Sequence, residues 1–194
     1  MFKSCAQKIT SFLALNKEID SSEYDVYAYG FEVLISFIFN SIMIIITGIL
    51  CNKIIHTIIF LTCYCPVRQF AGGYHAENYK KCSLTFLGMF LVTVFTDKYL
   101  VASISPMFLG IYTFISYAGI YSLSPVEHRN NPLNEGEKKK YKKMARLISS
   151  IIVIFILVAL TKNSLHNYAF YAGSSLFWIF IMLVLGIIKN IRRV

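Results

Sequence analysis

The sequence predicts an all-α, polytopic membrane protein, and three observations support this fold class. The chain of 194 residues is 56% apolar and only 15% charged, whereas soluble domains carry about 25% charged residues. Its apolar residues fall in long blocks, such as 31–51 and 168–188, and about 20 helical residues cross the hydrocarbon core of a bilayer. Its basic residues are distributed unevenly between alternate connections. This combination excludes soluble enzyme folds, disordered tails and secreted disulfide scaffolds.

Six apolar segments follow an amphipathic beginning. Residues 1–30 are predicted to form an interfacial entry region, because Phe2, Ile9 and Leu13 share one helical face; this helix could rest on lipid or dock a partner helix. The second and third segments are short enough to be re-entrant rather than spanning. The predicted segments are 31–51, 54–66, 83–96, 100–123, 147–161 and 168–188.

These parts are predicted to form one domain, residues 1–194, with six transmembrane or partly re-entrant helices. Its predicted parts are the entry helices 1–30, the first two spans 31–66, a loop 67–82, the next two spans 83–123, a basic loop 124–146, and the last two spans with the tail 147–194.

The basic residues predict the orientation of the chain. Sixteen of the nineteen Lys and Arg residues fall on one side of the alternating segments, and only Lys53, Lys98 and Lys162 fall on the other. Cytoplasmic loops carry such an excess, so both termini and both long loops are predicted to be cytoplasmic. The net charge of +9 is therefore assigned to contact with the anionic inner leaflet, and no nucleic-acid partner is expected.

The loop 67–82 holds a histidine and a cysteine that could act together. His75 and Cys82 are seven residues apart, and on one continuous helix they would lie about 10.5 Å apart along the axis, too far for proton transfer. Gly72, Gly73 and Asn78 predict an interruption. If Asn78 caps the next helix, Cys82 lies in its first turn, where the helix dipole and neighbouring lysines would lower the thiol pKa.

The residue pattern alone leaves other interpretations open. His75 could be an interfacial histidine that binds backbone carbonyls, and Cys82 could be a small apolar residue at a helix start. His75, Glu77 and Cys82 offer three donors for a metal ion but lack a fourth nearby, so no metal and no cofactor is predicted.

The run Arg68-Gln69-Phe70-Ala71-Gly72-Gly73-Tyr74-His75-Ala76, followed by Cys82-Ser83, resembles the signature of the AgrB family, the accessory gene regulator membrane endopeptidases. The stretches Tyr29–Glu32, Pro125–His128 and Asn131–Leu133, with the basic residues after them, are similar to other parts of that family. The resemblance covers nearly the whole chain.

The resemblance implies a cysteine endopeptidase in the cell membrane, with its catalytic loop at the cytoplasmic face. It would remove the C-terminal tail of an AgrD-type precursor peptide and promote cyclisation to a thiolactone or lactone signal for quorum sensing. Cys82 matches the nucleophile and His75 the general base, and the family also implies a homodimer. Further candidates for binding the substrate or the oxyanion are Arg68, Gly73, Glu77, Lys138, Lys139 and Lys140.

A rival function is a small polytopic transporter or scaffold that moves a peptide or another solute without proteolysis. Glycine-interrupted segments are common in transporters, and the sequence by itself leaves this alternative open.

Overall fold

A computed structural model describes residues 2–16, 18–74, 79–127 and 133–191 and confirms the all-α fold class. Within these residues there is no β-strand, only an isolated parallel bridge between Gly72 and Val126. Helices α2, α3, α5, α6 and α7 are long and apolar enough to cross a membrane. The helices are α1 (Phe2–Leu15), α2 (Tyr24–Leu50), α3 (Ile54–Ala71), α4 (Tyr79–Tyr99), α5 (Pro106–Leu123), α6 (Glu135–Leu160) and α7 (His166–Ile191).

The chain divides into two compact units, Met1–Ile46 and Thr47–Val194. In the first unit, the predicted N-terminal helix is present as α1 and packs on α2. The rings of Phe2 and Phe39 lie 5.3 Å apart between centroids, and the Ser11 hydroxyl lies 3.0 Å from the Tyr24 hydroxyl. Ala6 and Thr10 are buried, so one face of α1 is covered by protein.

The second unit is built around α7, which packs against α3, α5 and α6. Its buried stretch Ala169–Leu176 consists largely of small residues. Small residues allow membrane helices to approach closely. At Gly173 a Cβ atom would lie 2.9 Å from Oγ1 of Thr113 on α5, which shows how tightly these two helices meet.

Local sequence signals explain where several helices begin and end. Asn52 follows α2 with a φ of 56°, a left-handed conformation that Asn tolerates, and the chain turns there into α3. Ser105 caps α5 by accepting a hydrogen bond from the Phe108 amide at 3.2 Å. Oε2 of Glu137 accepts a hydrogen bond from the Asn134 amide at 2.9 Å, which forms a capping box at the start of the basic helix α6.

The second and third predicted segments are longer in the structure. The predicted second segment ends at Pro66, but α3 continues through Pro66 to Ala71. Proline is tolerated inside membrane helices because neighbouring helices and side chains satisfy the freed backbone groups. The third segment is the helix Tyr79–Tyr99. As a consequence, Arg68 lies on a helix rather than on the predicted loop.

Candidate active site

The segment that follows α3 is fixed by hydrogen bonds to the chain after α5. Gly72 and Gly73 have φ values of 70° and 109°, which L side chains rarely adopt, and helix α3 ends at this point. The Gly73 amide donates to the Val126 carbonyl at 3.1 Å, and the Val126 amide donates to the Ala71 carbonyl at 2.9 Å. Residues 71–73 thus connect the end of α3 to the second long loop through backbone hydrogen bonds.

Helix α7 holds the same segment from another direction. The Tyr74 amide donates to the Met182 carbonyl at 2.7 Å, and Nζ of Lys189 lies 4.8 Å from the centroid of the Tyr74 ring. Gly186 makes this approach possible, because a Cβ there would lie 2.7 Å from the Tyr74 nitrogen. Residues 72–74 therefore rest directly on the α7 backbone.

Arg68 reaches back from α3 to this segment. Its Nη2 donates a short hydrogen bond to the Tyr74 carbonyl. Within the described part of the chain, its Nη1 is buried without a hydrogen-bond partner. A Cβ on Gly73 would lie 2.8 Å from Nη1 and 2.8 Å from the Met182 carbonyl oxygen. Gly73 is therefore required both by its backbone conformation and by the space that the guanidinium occupies.

Helices α3 and α4 run antiparallel in a register that places Arg68 opposite Cys82. Lys53 directly precedes α3, and Asp97 lies near the end of α4. Nζ of Lys53 lies 2.6 Å from Oδ2 of Asp97. Phe60 lies seven residues after Lys53, and Phe90 lies seven residues before Asp97. The centroids of these two rings are 5.5 Å apart. One turn further, Tyr64 and Phe86 meet at 4.9 Å. Arg68 lies four residues after Tyr64 and Cys82 lies four residues before Phe86, so the same register pairs Arg68 with Cys82.

The Cys82 thiol lies in the first turn of α4, as predicted, and is half-buried. Burial raises the pKa of the Cys82 thiol, and the nearby Arg68 guanidinium acts to lower it. The predicted net decrease, based on the helix dipole and the neighbouring lysines, is therefore wrong, because burial outweighs the favourable charges. In the part of the chain that the structure describes, Arg68 is the cation that acts to favour the thiolate.

Tyr64 completes the group around Cys82. It lies one turn before Arg68 on α3 and is 7% exposed. Its hydroxyl interacts with the Arg68 guanidinium and lies within electrostatic reach of Cys82. A guanidinium carries only hydrogen-bond donors, whereas a tyrosine hydroxyl can both accept and donate, so Tyr64 is a second possible donor in this group. Both Arg68 and Tyr64 are thus close enough to Cys82 to interact with it electrostatically.

The other predicted site residues fall into two groups. His75 and Glu77 lie outside the described residues, so their roles stay predictions. Lys138 is partly exposed and forms an ion pair of 2.6 Å with Oε1 of Glu127, directly after Val126 in the second loop. Lys139 and Lys140 are exposed. The Gly73 amide is already engaged with Val126, which leaves Arg68 as the better placed of the predicted oxyanion donors.

Sequence reasoning missed four residues that shape this site: Tyr64, Val126, Met182 and Gly186. Tyr64 could have been found from its spacing of four from Arg68, which puts both on one helical face, but only if α3 had been extended past Pro66. Val126 and Met182 contribute backbone groups, and no side-chain pattern signals such a role. Gly186 has the appearance of an ordinary glycine in an apolar helix.

Comparisons with known proteins identify the family to which this chain is similar. The profile of the family described as accessory gene regulator B matches residues 6–187. An AgrB-like protein of Clostridium perfringens strain 13 is 28% identical over 161 residues, covering 79% of this chain and 72% of its own length. Accessory gene regulator protein B of Staphylococcus saprophyticus is 25% identical over 166 residues, covering 84% of this chain and 85% of its own length.

Accessory gene regulator protein B of Staphylococcus lugdunensis is 23% identical over 151 residues, covering 78% of this chain and 79% of its own length. No solved structure matches the chain. The chain therefore belongs to the accessory gene regulator B family, and this membership supports a role, with an AgrD-type peptide, in the peptide processing of quorum sensing.

Proposed function

We propose that this protein is a membrane cysteine endopeptidase that cleaves an AgrD-type precursor through a thioester on Cys82. The observation that carries the proposal is the register of α3 against α4, which brings Arg68 and Tyr64 beside the Cys82 thiol. A nucleophilic cysteine needs a neighbouring group that favours the thiolate. The family membership supports the same reading, because it indicates a peptide as the substrate.

In the first step, the Cys82 sulfur attacks the scissile carbonyl carbon of the precursor. His75 accepts the thiol proton and passes it to the amine of the departing C-terminal tail as the C–N bond breaks. The product is a thioester between the precursor and Cys82. His75 is assigned this role on its position in the sequence motif.

In the second step, a cysteine thiol or serine hydroxyl within the precursor attacks the thioester carbon. The C–S bond to Cys82 breaks, the Cys82 thiol is regenerated, and a thiolactone or lactone ring forms. The thioester keeps the acyl group reactive, so ring closure needs no nucleotide. Water is the competing nucleophile, and the burial around Cys82 favours the ring by limiting its access.

Both steps pass through an oxyanion, and we assign its stabilisation to the side chains of Arg68 and Tyr64. Nη1 of Arg68 is buried and has no partner among the described residues, and the Tyr64 hydroxyl is a second possible donor. Donors aimed at a developing oxyanion in a buried site can contribute about 3–4 kcal/mol each to the barrier. The Tyr74 carbonyl holds the rest of the Arg68 guanidinium in place.

The basic residues define where the precursor is expected to enter. Lys139 and Lys140 are exposed on α6 and directly follow Lys138, which is paired with Glu127. The excess of basic residues in the segment 124–146 supports a cytoplasmic position for it. We assign Lys139 and Lys140 to binding either the acidic tail of the precursor or anionic lipid. The homodimer that the family resemblance implies is part of the same proposal.

Incubation of purified protein with a synthetic precursor, followed by mass spectrometry, tests the proposed function. We expect the native protein to release the C-terminal tail and Cys82→Ala to release none. Cys65→Ala, which removes the thiol that directly follows Tyr64 and lies three residues before Arg68, is the control and should cleave normally. Tail release by Cys82→Ala would overturn the proposal, and movement of intact peptide across vesicles without cleavage would favour the transporter alternative.

A further inference from the structure

At the opposite end of α3 and α4 from Cys82, charged and aromatic side chains from four parts of the chain meet. Oδ2 of Asp97 is bound by Nζ of Lys53 at 2.6 Å and by the Tyr171 hydroxyl at 3.1 Å. The His56 ring lies 4.9 Å from the rings of both Tyr168 and Tyr171. The mechanism above uses none of these residues.

The position of Asp97 makes its partner important. The Asp97 side chain is 1% exposed, whereas that of Lys53 is 28% exposed, so the carboxylate is deep in the protein and the ammonium reaches it from the edge. A buried carboxylate that loses its cation is strongly unfavourable, and the penalty is larger still in a membrane. Asp97 therefore has one acceptable position relative to Lys53.

The surface between this pair and Cys82 does not define a register by itself. It consists mainly of the rings of Phe60, Tyr64, Phe86 and Phe90. Apolar burial is non-directional, and a slip of one turn would still place rings against rings. Such a slip would move Cys82 by about 5.4 Å along Arg68's helix, which removes the guanidinium from the sulfur.

We propose that the Lys53–Asp97 ion pair, held by Tyr171, is a positioning device that sets the register of α3 against α4 and thereby keeps Arg68 beside Cys82. The pair acts over about 22 Å, the rise of the fifteen residues from Cys82 to Asp97. Single polar residues fix the register of coiled coils in the same way. Tyr171 connects α7, which holds residues 72–74 through Met182, to the same device.

The test measures Cys82 itself and needs no peptide. In a protein that keeps Cys82 and has Cys5, Cys51, Cys63 and Cys65 replaced by serine, the rate of alkylation by iodoacetamide is followed against pH. We expect Asp97→Asn and Lys53→Gln to slow alkylation at neutral pH about tenfold, the effect of removing a cation next to a thiolate, and Arg68→Gln to do the same directly. Lys98→Gln, a neighbouring exposed lysine that lies over the Tyr99 ring, should react at the unmodified rate.

The charge exchange Lys53→Asp with Asp97→Lys separates positioning from simple stability. We expect it to restore the pH profile, because the ion pair is present again with its partners reversed. If Asp97→Asn does not fold, Lys53→Gln and the exchanged protein decide the question. An unchanged profile in the folded single variants, or a shifted profile in the folded exchanged protein, would overturn the proposal. These outcomes are independent of whether the protein cleaves any precursor.

Discussion

Gly186 on α7 offers a sharp test of how residues 72–74 are held, because helix propensity and packing act in opposite directions there. An alanine inside a helix is about 1 kcal/mol more favourable than glycine. In this protein, however, the new Cβ would lie 2.7 Å from the Tyr74 nitrogen, 2.8 Å from the Gly73 carbonyl carbon and 3.0 Å from the Gly73 Cα. All three are backbone atoms, so no side chain can rotate to make room.

The two contributions can be separated with a matched variant. Overpacking of this kind costs about 1–3 kcal/mol, so Gly186→Ala should lie between no net change and a loss of about 2 kcal/mol. Gly88 on α4 has no heavy atom within 4 Å of its added Cβ and lies on an exposed face. We expect Gly88→Ala to gain up to about 1 kcal/mol, so the difference between the variants isolates the contact with residues 72–74.

The assay combines unfolding in detergent with precursor cleavage. Gly186→Ala should be less stable than Gly88→Ala by about 1–3 kcal/mol and should release the precursor tail more slowly, because displacement of Tyr74 takes away the carbonyl that anchors Arg68. Gly88→Ala should cleave normally. If the two variants were equally stable and equally active, the contact between α7 and residues 72–74 would have no energetic role.

Three further predictions concern the groups around Cys82. Gly73→Ala should abolish most precursor cleavage by mass spectrometry, because the residue has a φ of 109° and its Cβ would displace the Arg68 guanidinium. In steady-state kinetics, Arg68→Lys should cleave more slowly than the native protein at saturating precursor, since an ammonium cannot bind the Tyr74 carbonyl and an oxyanion as a fork does. Replacement of Lys139 and Lys140 by glutamine should weaken precursor binding at low salt, where such attraction is least screened.

Each of these predictions has a control or a contradicting result. Gly136→Ala, where the added Cβ meets nothing within 4 Å, should cleave normally. Full activity of Arg68→Lys would exclude simultaneous binding of the Tyr74 carbonyl and the oxyanion by the guanidinium. Unchanged precursor affinity at low salt in the double lysine variant would show that the acidic tail binds elsewhere.

The pH dependence of Cys82 alkylation follows from the directions of its pKa shifts. Burial raises the pKa of the Cys82 thiol and Arg68 opposes that increase. Removal of the cation therefore raises the pKa further and leaves less thiolate at any given pH. The alkylation profile of Arg68→Gln should move to higher pH, and a move to lower pH would contradict the proximity of Arg68 to the sulfur.

Much of the fold could be predicted from the sequence because it follows from local patterns. Long apolar blocks predict helices α2 and α7, and the Asn134–Glu137 pattern predicts the start of α6. The limits of α3 could not be read correctly, since Pro66 ends helices in water but is accommodated in this helix. Whether a proline is tolerated depends on neighbouring helices, which a local pattern does not contain.

The candidate site can be predicted only in part from the sequence, because it too depends on contacts between helices. The motif points to Cys82 and Arg68, which lie fourteen residues apart, but their proximity depends on a register that Lys53 and Asp97 help to define from a distance. The support given by the Val126 and Met182 carbonyls is made by backbone atoms, and any residue type provides those. Such contributions become visible only when the chain is folded.

Direct detection of the thioester is the most decisive measurement for the proposed chemistry. Protein in which Cys82 is the only cysteine is mixed with precursor, quenched in acid and weighed intact by mass spectrometry. We expect a mass increase equal to the precursor without its C-terminal tail, removed by hydroxylamine and absent from Cys82→Ala. Tail release without any adduct in the native protein, together with equal release by Cys82→Ala, would contradict a cysteine nucleophile at this position.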